Sequence, residues 1–129
     1  MRRALALVVL LSALTACDGT PADESRVVLR EYSMVVSPGI VAAGIVDFEL
    51  ENVGKQGHMM VITDDDGTVL ATTDVVPPGT SATLRADLEP GRYLASCRIV
   101  VQLPDGRISD HLEQGMVTTL RVSGADVGS

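Results

Sequence analysis

From Val27 onward the sequence is a series of short apolar runs separated by turn residues every eight to twelve positions, the spacing of a β-sandwich or barrel. Val27 to Tyr32 is the first run. Met34 to Val36 follows and is stopped by Ser37-Pro38-Gly39. After Ala43-Gly44, the segment Ile45 to Asn52 alternates. Val46, Phe48, Leu50 and Asn52 share one face; Ile45, Asp47, Glu49 and Glu51 share the other. That is the pattern of a half-buried antiparallel strand. His58 to Ile62 is apolar on both faces, which places it inside a sheet. Asp64-Asp65-Asp66-Gly67 has the acidity of a calcium loop, but position twelve counted from Asp64 is Val75 and not a bidentate Glu, so a plain hairpin turn is expected. Val69 to Val76 closes on Pro77-Pro78-Gly79, and Ser81 to Leu88 alternates again. Pro90-Gly91 leads into Arg92 to Val101, where Tyr93, Ala95, Cys97 and Ile99 point one way. In the last run Met116, Thr118, Leu120 and Val122 share a face. No run combines helical period with start and stop signals. The expectation is an all-β, antiparallel Greek-key sandwich of about seven or eight strands.

The length of 129 residues leaves room for one domain, expected over 27–122, with 123–129 as a disordered tail. There is no Trp, one Phe and two Tyr, so Val, Leu, Ile and Ala must build the core. A net charge of −7 argues against nucleic acid as a partner, because a phosphate backbone wants a basic face.

The first residues read as an address. Arg2 and Arg3 precede an apolar stretch, Ala4 to Leu14, of 11 residues, too short to span a bilayer. It ends in Leu14-Thr15-Ala16-Cys17, which resembles the lipobox of bacterial lipoproteins. An ordinary secretory signal that happens to end in Cys is the alternative. The resemblance implies a signal peptide over 1–16, cleavage before Cys17, and lipidation of Cys17. It also implies a membrane partner through that anchor, on the extracytoplasmic side of a bacterial envelope. More than one acyl chain gives stable anchoring where a single chain does not. Loss of Arg2 and Arg3 with the leader takes the net charge from −7 to −9. Residues 17–26, polar and unpatterned, read as the lipidated Cys and a tether.

With Cys17 lipidated, Cys97 has no intramolecular partner. A lone thiol in an oxidising compartment is vulnerable to oxidation unless it is buried or holds a metal. His111 and Met116 follow Cys97 in one loop, and His58 lies upstream. Two imidazoles, a thiolate and a thioether form the ligand set of a blue-copper site. Each residue has a plainer reading: a buried small hydrophobe for Cys97, a core imidazole bonded to a carbonyl for His58, a solvated loop residue for His111 and a core thioether for Met116. Order and spacing favour the ligand reading.

Asn52-x-Gly54 before His58, Pro90-Gly91-x-Tyr93-x-x-x-Cys97, then His111-x-x-x-x-Met116 and a final strand, together resemble the cupredoxin family over roughly Val27 to Val122. The resemblance implies one copper ion in a type 1-like site, with His58 and His111 as imidazole ligands, Cys97 as the thiolate and Met116 as a weak axial ligand. It further implies one-electron transfer with a redox protein partner, no enzymatic activity, and a monomer. Two features depart from the family's pattern. Thirteen residues, Arg98 to Asp110, separate Cys97 from His111, where small blue proteins have only a few. Leu103-Pro104-Asp105-Gly106-Arg107 is a strong turn signal, so the insert is expected to return His111 as a small hairpin. Met59 stands where many members carry an amide or hydroxyl that bonds near the sulfur, and its side chain cannot donate. Alternatives are a cuprous-ion carrier using Met59 and Met60 beside His58, or a metal-free interaction module. A cysteine hydrolase is disfavoured, since no nucleophile elbow frames Ser96-Cys97.

Overall fold

The computed structural model describes residues 21–124. The expected leader over 1–16, Cys17, the tether up to Thr20 and the tail from Ala125 lie outside the described residues. Eleven strands and no helix are found among those described. They are β1 (Glu24–Arg30), β2 (Ser33–Ser37), β3 (Ile40–Ala42), β4 (Gly44–Asn52), β5 (Val61–Thr63), β6 (Val69–Thr72), β7 (Ser81–Leu88), β8 (Gly91–Ser96), β9 (Val100–Gln102), β10 (Ile108–Asp110) and β11 (Val117–Ser123). One sheet has the order β2-β1-β4-β7 and the other β3-β11-β8-β5-β6. The chain passes repeatedly from one sheet to the other, and the apolar faces of both close on a common core. Strands β9 and β10 pair only with each other, as a hairpin outside both sheets.

Alternation explains the burial. Along β4 the buried residues are Val46, Phe48, Leu50 and Asn52, and along β7 Leu84, Ala86 and Leu88. In β8 Tyr93 and Ala95 face inward, and in β11 Leu120 and Val122 do so. Phe48, the one phenylalanine, is fully buried among aliphatic side chains. The Tyr93 hydroxyl donates to the Glu89 carbonyl at 2.8 Å, so its ring enters the core without stranding a polar atom.

Three expectations need correction. The sandwich is mixed and not purely antiparallel, because β1 runs parallel to β4 and β3 parallel to β11. The strands beyond seven or eight are β3 and the hairpin pair β9 and β10. The first strand also begins at Glu24, inside the segment read as tether, and the last ends at Ser123, inside the segment read as tail, where Ser123 pairs with Ala42. Glu24, Ser25 and Arg26 pair with Asp47, Phe48 and Glu49, and Ser25 is buried with its hydroxyl donated to the Pro38 carbonyl. A polar strand can form there because the parallel ladder is made by the backbone and only one side chain in two turns inward.

Interior placement of the His58 segment holds in part. Strand β5 lies between β8 and β6, with Val61, Ile62 and Thr63 all buried. His58 itself stands before the strand and pairs with Val76 in a single bridge.

Candidate metal centre

His58 is fixed through its backbone. Its N–H donates to the Val76 carbonyl at 3.2 Å, and Val76 N–H donates back at 2.7 Å. The preceding turn is organised by Asn52, fully buried at the end of β4. Its side-chain amide donates to the carbonyls of Gln56 and Val76, both at 2.8 Å, and its Oδ1 accepts the Gly54 N–H at 2.9 Å. One side chain thus shapes the turn and ties it to the segment that pairs with His58.

Cys97 follows β8 directly and keeps the inward direction of Tyr93 and Ala95. Its N–H donates to the Met116 carbonyl at 3.0 Å. The insert then folds as a hairpin, as the turn signal predicts. Leu103 and Arg107 close it with a 2.8 Å hydrogen bond, and Gly106 adopts φ +86° at its tip. The hairpin returns the chain so that His111 N–H donates to the Ile99 carbonyl at 3.0 Å. Asp110 caps the following turn, its Oδ1 accepting the N–H groups of Leu112 and Glu113. Gly115, at φ +99°, lets the turn close, and Met116 N–H reaches the His111 carbonyl at 3.0 Å. His111 is therefore fully buried and held on both sides, unlike a solvated loop residue.

The structure brings three of the four expected residues to one point. His58 Nδ1 and His111 Nδ1 are 3.2 Å apart, and Cys97 Sγ is 3.5 Å from His111 Nδ1. Ligand atoms of the three residues all lie within 4.8 Å of one another. Donors at ~2.0 to 2.3 Å from one ion can be no more than roughly 4.0 to 4.6 Å apart, so the two measured separations fit. Met116 is fully buried and hydrogen-bonded through its backbone to both Cys97 and His111; it sits beside the cluster in the chain.

The edge of the His111 ring that faces away from this point is also engaged. His111 Nε2 lies 2.8 Å from Gln56 Oε1. In the tautomer that donates there, His111 Nδ1 carries a lone pair. The Tyr32 ring meets His111 edge-on, with centroids 5.8 Å apart at 88°, and its hydroxyl lies 3.3 Å from Ser109 Oγ. Burial holds both imidazoles below the ordinary histidine value. For His58 the neighbouring His111 adds to this while Glu31 opposes it. For His111, Glu31 and Asp110 oppose it. Burial pushes the Cys97 thiol up; backbone N–H groups of Met59 and Ile99 at the sulfur pull the other way, and Asp110 pushes up again. Imidazoles with convergent Nδ1 atoms beside a buried sulfur make a set that a soft cation satisfies, with displacement of the thiol proton.

The Met59 side chain cannot donate; its backbone N–H acts to lower the Cys97 thiol against the effect of burial. Glu31, Tyr32 and Gln56 were not singled out from sequence. Gln56 stands two positions before His58, the one local hint; nothing local marks the turn between β1 and β2 as part of the site.

Acid should destabilise the metal-free protein in two windows. Both imidazoles have folded values below 6.5. As pH falls through that ordinary value, the unfolded chain takes up protons that the folded chain refuses, and unfolding gains. Glu31 acts lower down. Burial pushes its carboxyl up, but N–H groups of Gln56, Glu31 itself and Lys55, with the field of His58, outweigh this and hold it below 4.5. Its contribution is present above 4.5 and lost as pH falls through the lowered folded value. The urea midpoint should drop between about pH 7.5 and about pH 5.5; a flat midpoint across that range would contradict burial of two neutral imidazoles.

The sequence matches no family model and no curated protein. Solved structures do match. Reduced auracyanin from the photosynthetic bacterium Roseiflexus castenholzii shares 18% identity, covering 81% of this chain and 99% of that one, with a TM-score of 0.61. The azurin Az-iso2 from the methylotroph Methylomonas sp. strain J shares 16%, covering 78% and 97%, with a TM-score of 0.54. A purple cupredoxin from Nitrosopumilus maritimus shares 16%, covering 77% and 99%, with a TM-score of 0.51. At such identities the likeness establishes the fold: residues 21–124 form a cupredoxin-like sandwich.

Proposed function

We propose that this cupredoxin-fold protein binds one copper ion through His58, Cys97, His111 and Met116 and carries single electrons. The observation that carries the reading is the convergence of His58 Nδ1, His111 Nδ1 and Cys97 Sγ in a fully buried cluster. Copper so held would supply a one-electron couple. The chain's residues do the rest. The two imidazoles and the sulfur are fixed by backbone hydrogen bonds before any ion arrives, which keeps rearrangement small between oxidation states. Backbone N–H groups of Met59 and Ile99 favour a charged sulfur, against the burial that opposes it. Burial excludes water from the cluster. Gln56 links the His111 ring to the surface, where Gln56, Gly57, Val75, Ile99, Val101 and Leu103 line a shallow, open, mostly apolar depression. A redox protein with an apolar contact face would meet the chain there.

Adding cupric ion to the purified protein should give one copper per chain and an intense thiolate charge-transfer colour. Colourless binding of cuprous ion only would favour a carrier, and no uptake would favour a metal-free module. Met116→Leu should keep the colour and raise the reduction potential, because a donor favouring the oxidised state is gone. An unchanged potential would remove Met116 from the ligand set.

Membrane attachment belongs to the same proposal and rests on Leu14-Thr15-Ala16-Cys17 behind a basic, apolar leader. Cys17→Ser should release the protein from the membrane fraction or leave the precursor uncleaved. Normal processing with full membrane retention would rule out the anchor.

A further inference from the structure

Behind His58 stands a carboxylate to which the ligand set gives no role. His58 Nε2 is buried without a hydrogen-bond partner, and it faces Glu31 Oε1 at 3.6 Å. That oxygen is itself fixed, since the backbone N–H groups of Lys55 and Gln56 both donate to it. Gly54 opens the space for this approach. A Cβ at position 54 would lie 2.6 and 3.0 Å from the two carboxylate oxygens and 3.0 Å from His58 Nε2. Any side chain there would stand between the carboxylate and the ring. Asn52 fixes Gly54 in turn by accepting its N–H. The turn after β4 and the turn after β1 are thus built to present one carboxylate oxygen to the outer edge of His58.

We infer that Glu31 is a positioning residue for His58. Its carboxylate draws the ring proton to Nε2, leaves Nδ1 as a lone pair aimed at His111 and Cys97, and strengthens that nitrogen as a donor. An imidazole that ligates a metal is ordinarily oriented by an acceptor on its other nitrogen, which fixes its tautomer and raises its basicity. Here the acceptor is a charged group, so it favours the more positive of two metal states. Only this last consequence rests on the copper reading; the orientation of His58 does not.

The test is Glu31→Gln, which keeps an oxygen for the two N–H donors and removes the charge. Nitrogen NMR of the His58 ring in metal-free protein at neutral pH should show the proton on Nε2. In the variant the fraction carrying it on Nδ1 should rise by about tenfold. With copper bound, the variant's preference for cupric over cuprous ion should fall by about tenfold, equivalent to about 59 mV in potential for one electron. If Glu31→Gln fails to fold, Glu31→Asp withdraws the charge from the ring and should move both readings the same way. A parent ring with its proton on Nδ1, or a ring indifferent to these substitutions, overturns the inference even if copper binds. Conversely, a ring that responds in a protein taking up no copper upholds the inference and retires the copper reading.

Discussion

Cys97→Ala should abolish the charge-transfer colour and most of the copper affinity. The sulfur is the one thiolate donor in the cluster and lies 3.5 Å from His111 Nδ1 in a site closed to water. No other cysteine among the described residues is available to replace it. Losing an outer partner of a metal ligand costs roughly 10–100-fold in affinity, and removing the anionic ligand itself should exceed that. The fold should survive. Alanine is close to cysteine in size, so the metal-free protein should lose only about 1 kcal/mol, a typical point-mutant effect. The measurement pairs copper titration, read by absorption, with urea denaturation of the metal-free variant. Persistent colour with Ala at position 97 would mean that another group supplies the transition, and the site as described here would be wrong.

Asn52→Ala should produce the largest loss of stability among polar substitutions near the site. Three hydrogen bonds leave with the side chain, to Gln56, Val76 and Gly54. At about 1 kcal/mol each, plus the cost of buried groups left partly unpaired, the expected loss is about 2–4 kcal/mol. The Val76 carbonyl keeps the His58 N–H, which holds the figure toward the lower end. Asn52→Asp should be no better, because an oxygen would replace the amide that donates to two carbonyls. Copper binding should weaken as well, since the turn that presents His58 depends on this one amide. An unfolding free energy from urea denaturation within about 0.5 kcal/mol of the parent, the ordinary range for surface changes, would show that the turn stands without Asn52.

Much of this fold could be read along the chain, for a local reason. Strands β4, β7, β8 and β11 bury alternate residues, and that period is written in their side chains. The hairpin of β9 and β10 was legible from Pro104-Asp105-Gly106, because a tight turn needs those residue types whatever surrounds it. Strand β3 was not legible. Three residues, Ile40 to Ala42, with one fully buried, carry no periodic signal. The polar start of β1 was missed because its pairing is made by backbone groups, which every sequence supplies.

The candidate site divides the same way. His58, Cys97, His111 and Met116 are rare residue types in a telling order, and that order put them forward as one set; the structure brings His58, Cys97 and His111 together, with Met116 tied to Cys97 and His111 through its backbone. The sequence alone determined the inward direction of Cys97 and Met116, since strand period fixes which face a residue takes. Tertiary structure decided what lies behind these side chains. Glu31 and Tyr32 come from the turn between β1 and β2, more than twenty residues from His58, yet Glu31 faces His58 and Tyr32 packs on His111. The parallel pairing of β1 with β4 carries that turn beside the loop after β4. Sheet pairing is a long-range choice between backbones with no local code, so residues that meet only through it leave no spacing to read.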